Sequence, residues 1–205
     1  MKDLGVLLDS SLTFENQVSY VVSKASSQLG FIFRFGKYFQ DVYCLKALYC
    51  ALVRSTLEYS AVVWAPYYQN GINRIEAVQR KFVRFALRHL PWRDRNNLPR
   101  YTERCRLIHL DALDVRRDVA KACFISDLLT SNIDCPELLS RLDVNTRRRA
   151  LRSHTFLSTG RSRTNYGMHE PMECMSRVFD NCFECFDFNL SRRVIRNNFL
   201  RVLSV

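Results

Sequence analysis

Glycine and proline are scarce, 6 and 5 in 205 residues. Sheet-rich folds spend both residues on turns, so the scarcity predicts a mainly α protein. The expected architecture is a helical bundle with one short strand near the N-terminus. Long apolar runs are missing too. Stretches such as Ala61-Val62-Val63-Trp64-Ala65 are far too short to span a bilayer, and no membrane partner is expected. No two acidic residues are adjacent anywhere. The opening Met1-Lys2-Asp3-Leu4 lacks the pattern of a secretory signal, so an intracellular location, nuclear or cytoplasmic, is expected.

What is present supports a folded chain. Hydrophobic residues make up 47% and aromatics 12%, enough for a core rather than disorder. The length suits one domain or two small ones. Eight cysteines do not point to a disulfide framework in a chain of this size. Cys44, Cys50, Cys105 and Cys123 sit among apolar neighbours on predicted helices, where cysteine acts as a small hydrophobe.

Charge is unevenly placed. Met1 to Asn70 holds 6 Lys+Arg against 5 Asp+Glu, and residues 164–205 hold 5 against 5. Residues 71–163 hold 20 against 10, which accounts for 10 of the net +11. Most of the excess is arginine, whose planar fork suits phosphate. A concentrated basic segment fits a polyanion partner or an ordinary solvated surface.

Local patterns place the elements. Leu4 to Asp9 reads as a short strand. Phe14, Val18, Val21, Ala25, Leu29 and Ile32 recur at helical steps, with Thr13 as the expected N-cap and Gly36 as the expected stop. Asp41 is expected to cap the second helix, whose stripe is Leu45, Leu48, Leu52 and Thr56 and which continues through Glu58 to Trp64. Asn70-Gly71 suggests a turn. The third helix carries Ile72, Ile75, Val78, Phe82 and Phe85. A basic connection lies between Pro91 and Pro99. Further helices are expected at 101–108 and 111–130, from Pro136, from Pro171 to about Phe186, and from Ser191 to Leu203. Residues 142–168 are the least regular.

The third helix is the sharpest candidate site. At about 100° per residue, Arg74, Arg80, Lys81, Arg84 and Arg88 fall opposite its apolar face, with only Glu76 nearby to neutralise them. Such a stripe can track a phosphate backbone. A second basic cluster is Arg147, Arg148, Arg149 and Arg152, followed by Arg161 and Arg163; no acidic residue occurs between Asp143 and Glu170. It suits a nucleic-acid arm, an import patch or a basic loop. Trp64, Tyr67 and Tyr68 could stack on bases, but a cluster at a helix end is more often packing. His169, Cys174, Cys182 and Cys185 include one CxxC, yet the spacing does not form a zinc knuckle. Nothing orients a Cys–His pair for hydrolysis. Neither a metal nor a cofactor is expected.

Several segments match a known family in family order. Lys2-Asp3-Leu4-Gly5-Val6-Leu7-Leu8-Asp9-Ser10-Ser11-Leu12-Thr13-Phe14 resembles the segment that follows the palm of LINE-type, jockey-like reverse transcriptases of non-LTR retrotransposons. Leu52-Val53-Arg54-Ser55-Thr56-Leu57-Glu58-Tyr59-Ser60-Ala61-Val62-Val63-Trp64-Ala65-Pro66 is similar to their thumb segment, and Arg74-Ile75-Glu76-Ala77-Val78-Gln79-Arg80-Lys81-Phe82 continues it. Arg163-Thr164-Asn165-Tyr166-Gly167 and Glu170-Pro171 resemble a late motif of the same polyproteins. Ser55 departs from the pattern, since the family usually has Pro there, and its loss should relax a kink.

The resemblance implies a thumb-like region at 1–90 that includes the end of a palm strand. It implies a connection at 91–100, and a helical tail at 101–205 with a basic loop near 142–168. It also implies an RNA or DNA partner, the template–primer duplex. The family polymerises with paired aspartates that hold two divalent metals, on a hairpin N-terminal to this region. The palm is therefore expected to be missing, no catalytic residue carries over, and the chain by itself is not expected to be an enzyme. The rival reading is a decayed transposon remnant, or a structural helical protein without a biochemical role.

Overall fold

The computed structural model describes residues 1–39, 41–89, 99–145, 155–158 and 163–204. Among the described residues the protein is mainly α, with one minimal two-stranded sheet. It divides into two compact units, Met1–Asp114 and Val115–Val205.

The first unit opens with a hairpin rather than the single strand expected. β1 (Lys2–Asp3) pairs antiparallel with β2 (Val6–Leu7), Lys2 opposite Leu7 and Asp3 opposite Val6. Leu4 and Gly5 form the turn at φ 41° and 87°. Positive φ at both central residues matches the right-handed twist of a two-residue hairpin. The Tyr59 hydroxyl donates to the Leu4 carbonyl at 3.0 Å, which anchors the turn to the helical body.

α1 (Glu15–Gly36) buries Val18, Val21, Ala25, Leu29 and Ile32, as their spacing predicts. Its ends differ from expectation. The cap position is Phe14, in a left-handed conformation with no side-chain cap bond. Thr13 instead gives its N–H (2.9 Å) and hydroxyl (3.0 Å) to the Asp9 carboxylate. Gly36 is the last helical residue and not a left-handed stop. A Cβ there would lie 2.9 Å from Leu45 Cδ2 and 3.1 Å from the Phe85 ring, so glycine serves close approach.

The second helix is one continuous run of three parts. α2 (Val42–Leu48) passes into a π-helical segment (Tyr49–Arg54) and then α3 (Ser55–Glu58). Asp41 caps it as expected, accepting from Tyr43 N at 2.8 Å. The buried stripe is Leu45, Tyr49, Val53 and Leu57, whereas Leu52 is exposed and Leu48 and Thr56 are half-buried. Steps of four drift around an ordinary α-helix, and the wider i→i+5 turn absorbs the drift. Ser55 is where the wide turn closes. Its N–H donates to Cys50 O, and its hydroxyl donates to Ala51 O. The helix at this position is not regular.

The helix does not continue to Trp64. It breaks at Tyr59-Ser60, where Ser60 has φ 50°, and restarts as α4 (Ala61–Trp64). Trp64 is fully buried and donates its indole N–H to Tyr59 O at 2.7 Å. α5 (Gln69–Ala86) then begins before Asn70-Gly71, which lie in its first turn instead of a loop. Gly71 lets the backbone pass Pro66, whose Cβ would stand 2.8 Å from an added Cβ.

Two contacts fix the pairing of α1 with α5. Arg74 reaches Ser19 Oγ at 2.9 Å, and the Phe85 ring lies 4.7 Å from Phe33. The helices therefore run parallel, with their C-termini at one end. After α5 come a 3₁₀ turn (Leu87–His89) and α6 (Tyr101–Leu107). α6 lies in the first unit.

In the second unit, α7 (Leu113–Leu129), which starts at the end of the first, buries Val119, Ala122, Ile125 and Leu128. α8 (Pro136–Leu139) and α9 (Asn165–Met168) are single turns. α10 (Pro171–Cys182) leads through a 3₁₀ turn to α11 (Arg192–Leu203). Phe179 of α10 and Phe199 of α11 are fully buried and meet edge to face at 6.0 Å. Phe156 stacks on Phe183 at 4.2 Å, and Leu157 N donates to Asp180 Oδ1 at 3.0 Å. Arg192 pairs with the buried Asp127 at 2.7 Å.

The two glycines of α1 should respond oppositely to alanine. Gly30 has nothing within 4 Å of an added Cβ, so Gly30→Ala should stabilise by about 0.5–1 kcal/mol through helix propensity. Gly36→Ala should destabilise, because overpacking against buried Leu45 costs about 1–3 kcal/mol and outweighs the same gain. Thermal melts of both variants check the sign.

Candidate nucleic-acid interface

α5 carries two kinds of polar residue on opposite sides. Ile75, Val78, Phe82, Val83 and Ala86 enter the core, and Phe82 stacks on Tyr49 at 4.1 Å. Glu76 and Gln79 enter it as well, at 5% and 0% exposure. Burying such groups is costly unless they are hydrogen-bonded, and here each is. Gln79 Oε1 accepts from the Tyr49 hydroxyl at 2.9 Å. Gln79 Nε2 donates to the Tyr101 hydroxyl at 3.0 Å and to Asp111 O at 2.9 Å. The Tyr101 hydroxyl in turn donates to the Glu76 carboxylate. The Glu76 carboxylate also accepts from Leu113 N at 3.2 and 3.3 Å, so it caps the first residue of α7. Burial, and then the Glu76 charge, push both phenols well above their usual range, which holds them as donors.

The position of Glu76 corrects the sequence reading, in which it was the acid beside the basic stripe. It is withdrawn from the surface because the polar cluster requires it. What remains outside is basic. Arg80, Lys81, Arg84 and Arg88 are exposed. Arg80 lies over the Tyr101 ring at 5.2 Å. Arg74 is half-buried and tied to Ser19, so it belongs to the α1–α5 contact more than to the stripe.

The other candidates separate. Arg147, Arg148, Arg149, Arg152 and Arg161 lie outside the described residues; Arg163 is exposed. Trp64 is fully buried and unavailable for stacking, as packing at a helix end predicts. Tyr67 and Tyr68 rest on each other at 4.2 Å. Among the described residues no three His, Cys, Asp or Glu side chains come together as metal ligands. Burial pushes the thiols of Cys123 and Cys182 up to about 11. They are thiols at neutral pH, not nucleophiles. No helix among the described residues is long and apolar enough to cross a membrane.

One aromatic group lies outside the core stripes. Phe31, Phe35, Tyr38 and Tyr43 are exposed around the turn from α1 to α2. The signal was in the run Phe31-Ile32-Phe33-Arg34-Phe35-Gly36-Lys37-Tyr38-Phe39, which holds more aromatics than one core face can take.

No family model, no curated protein and no solved structure matches the chain.

The polar cluster and the stripe should separate under mutation. Gln79→Leu removes the acceptor of the buried Tyr49 hydroxyl and the amide bond to Asp111 O, and should cost about 2 kcal/mol or more. Arg84→Ala, one turn on but outside, should stay within about 0.5 kcal/mol. Urea denaturation of the two variants measures the difference.

Proposed function

We propose that the chain is the thumb and tail of a non-LTR retrotransposon reverse transcriptase. In this reading it binds template–primer RNA or DNA through the phosphate backbone and does not polymerise. The motif order from Lys2 to Pro171 supports the family. The observation that carries the binding role is α5: its one acid in the basic stretch is buried, and Arg80, Lys81, Arg84 and Arg88 stand exposed. Backbone contacts of this kind position a strand without reading its sequence.

The absence of an adjacent carboxylate pair supports the non-catalytic part. Polymerisation by this family's chemistry needs two metals held by such groups. In this reading the missing palm supplies them in the parent protein.

Two measurements test the reading. Fluorescence anisotropy against salt, with a labelled single strand, should show log affinity falling with log salt. Lys81→Ala, Arg84→Ala and Arg88→Ala together should flatten the slope by about 2, at roughly 0.7 per phosphate contact on a single strand. An unchanged slope in a folded variant would make the stripe an ordinary solvated face. Primer extension on an RNA template with Mg²⁺ or Mn²⁺ should give no template-dependent product; product above a no-protein control overturns the assignment.

A further inference from the structure

Exposed aromatics that form a contiguous patch mark interaction sites, whereas scattered ones do not. Three exposed rings share the C-terminal end of α1. Tyr38 is 74% exposed and Phe35 50%. Phe31 and Phe35, one turn apart, have ring centroids 4.6 Å from each other, so they present a joint surface. Cations interleave with them. Arg34 and Lys37 are exposed, and Lys37 Nζ lies 5.0 Å from the Tyr38 ring. No acidic residue occurs between Glu15 and Asp41, and the Asp41 carboxylate is engaged by Tyr43 N.

The parallel pairing of α1 and α5 gives this patch its setting. The Phe33–Phe85 contact and the fit of Gly36 against Phe85 bring the two C-terminal ends together. The exposed rings and the exposed Arg84 and Arg88 therefore belong to one end of the first unit. Rings that stack on bases, beside cations that meet phosphates, are the two components of a single-strand site. A paired duplex hides its base faces and could use only the cations. Cations also favour helix C-termini through the macrodipole, but that accounts for the charges and not for the exposed rings.

We infer that the α1–α2 corner, with Phe31, Phe35 and Tyr38 as stacking surfaces and Arg34 and Lys37 beside them, binds unpaired nucleotides of a strand whose backbone runs along α5. The inference rests on the nucleic-acid reading of the α5 stripe and adds a preference for single strands at one end of it.

The test uses the full chain, anisotropy, a labelled oligothymidine strand and a labelled blunt duplex. Phe35→Ala with Tyr38→Ala should weaken the single strand about five-fold or more per lost stacked base. Duplex affinity and the salt slope should stay unchanged. Phe35→Tyr with Tyr38→Phe keeps the rings and should keep the affinity, which guards against a folding effect. Unchanged single-strand affinity in the alanine variant overturns the inference, as does an equal loss on both ligands. Sedimentation that shows the alanine variant losing self-association, with single-strand binding intact, also overturns it by making the patch a protein contact. The Lys81, Arg84 and Arg88 variant runs in parallel. If it flattens the slope while the ring variant does nothing, only the stacking site fails. If its slope is unchanged while the ring variant loses affinity, the α5 backbone reading fails instead.

Discussion

The first unit is organised around two polar side chains that have no business in an apolar core unless every partner is in place. Glu76 and Gln79 gather Tyr49 from the π-helical segment, Tyr101 from α6, the Asp111 carbonyl and the first N–H of α7. A fully satisfied buried network specifies one arrangement, and a partly satisfied one is worse than hydrocarbon. Apolar packing alone would tolerate sliding of α6 along α5. The Tyr101 hydroxyl, which donates to Glu76 and accepts from Gln79, does not. The surface consequence is electrostatic. By drawing its acid inward to meet these donors, α5 leaves a basic outer face.

Much of this was legible in the sequence, and the failures have physical causes. The helices at 15–36 and 113–129, and the one from Ile72 onward, follow from spacing, because a long amphipathic stripe has no competing interpretation. Ends were harder. Thr13 has the chemistry of an N-cap, but Asp9 claims both its donors. Gly36 has the freedom of a left-handed stop, but packing against Leu45 and Phe85 uses its small size instead. The Leu4-Gly5 turn was hidden because a hairpin this short offers only two residues per strand.

The candidate site was legible by half. Periodicity put Arg74, Arg80, Lys81, Arg84 and Arg88 on one outer face; the last four are exposed, and Arg74 is half-buried against Ser19. It could not show that Glu76 is buried, since its angle on the helix is compatible with either side and only Tyr101 and Leu113, distant in sequence, decide the matter. The exposed rings at the α1–α2 corner escaped for a related reason. Helical spacing alone is compatible with burying every aromatic of the run, and which of them the core has room for depends on the neighbouring helices.

The π-helical segment sets a rule about chain length. Along a regular helix each residue turns the next by about 100°. Leu45, Tyr49, Val53 and Leu57 all reach the core only because one wide turn lies among them. Losing one residue between Tyr49 and Arg54 would close the wide turn to a regular α-turn and keep Leu57 on the core face, whereas gaining one would rotate Leu57, the break at Tyr59-Ser60 and the approach to Trp64 together. The gain would also detach Tyr59 from the hairpin turn at Leu4. Substitutions in this stretch are local events, whereas an insertion there would be felt as far away as the N-terminal strands.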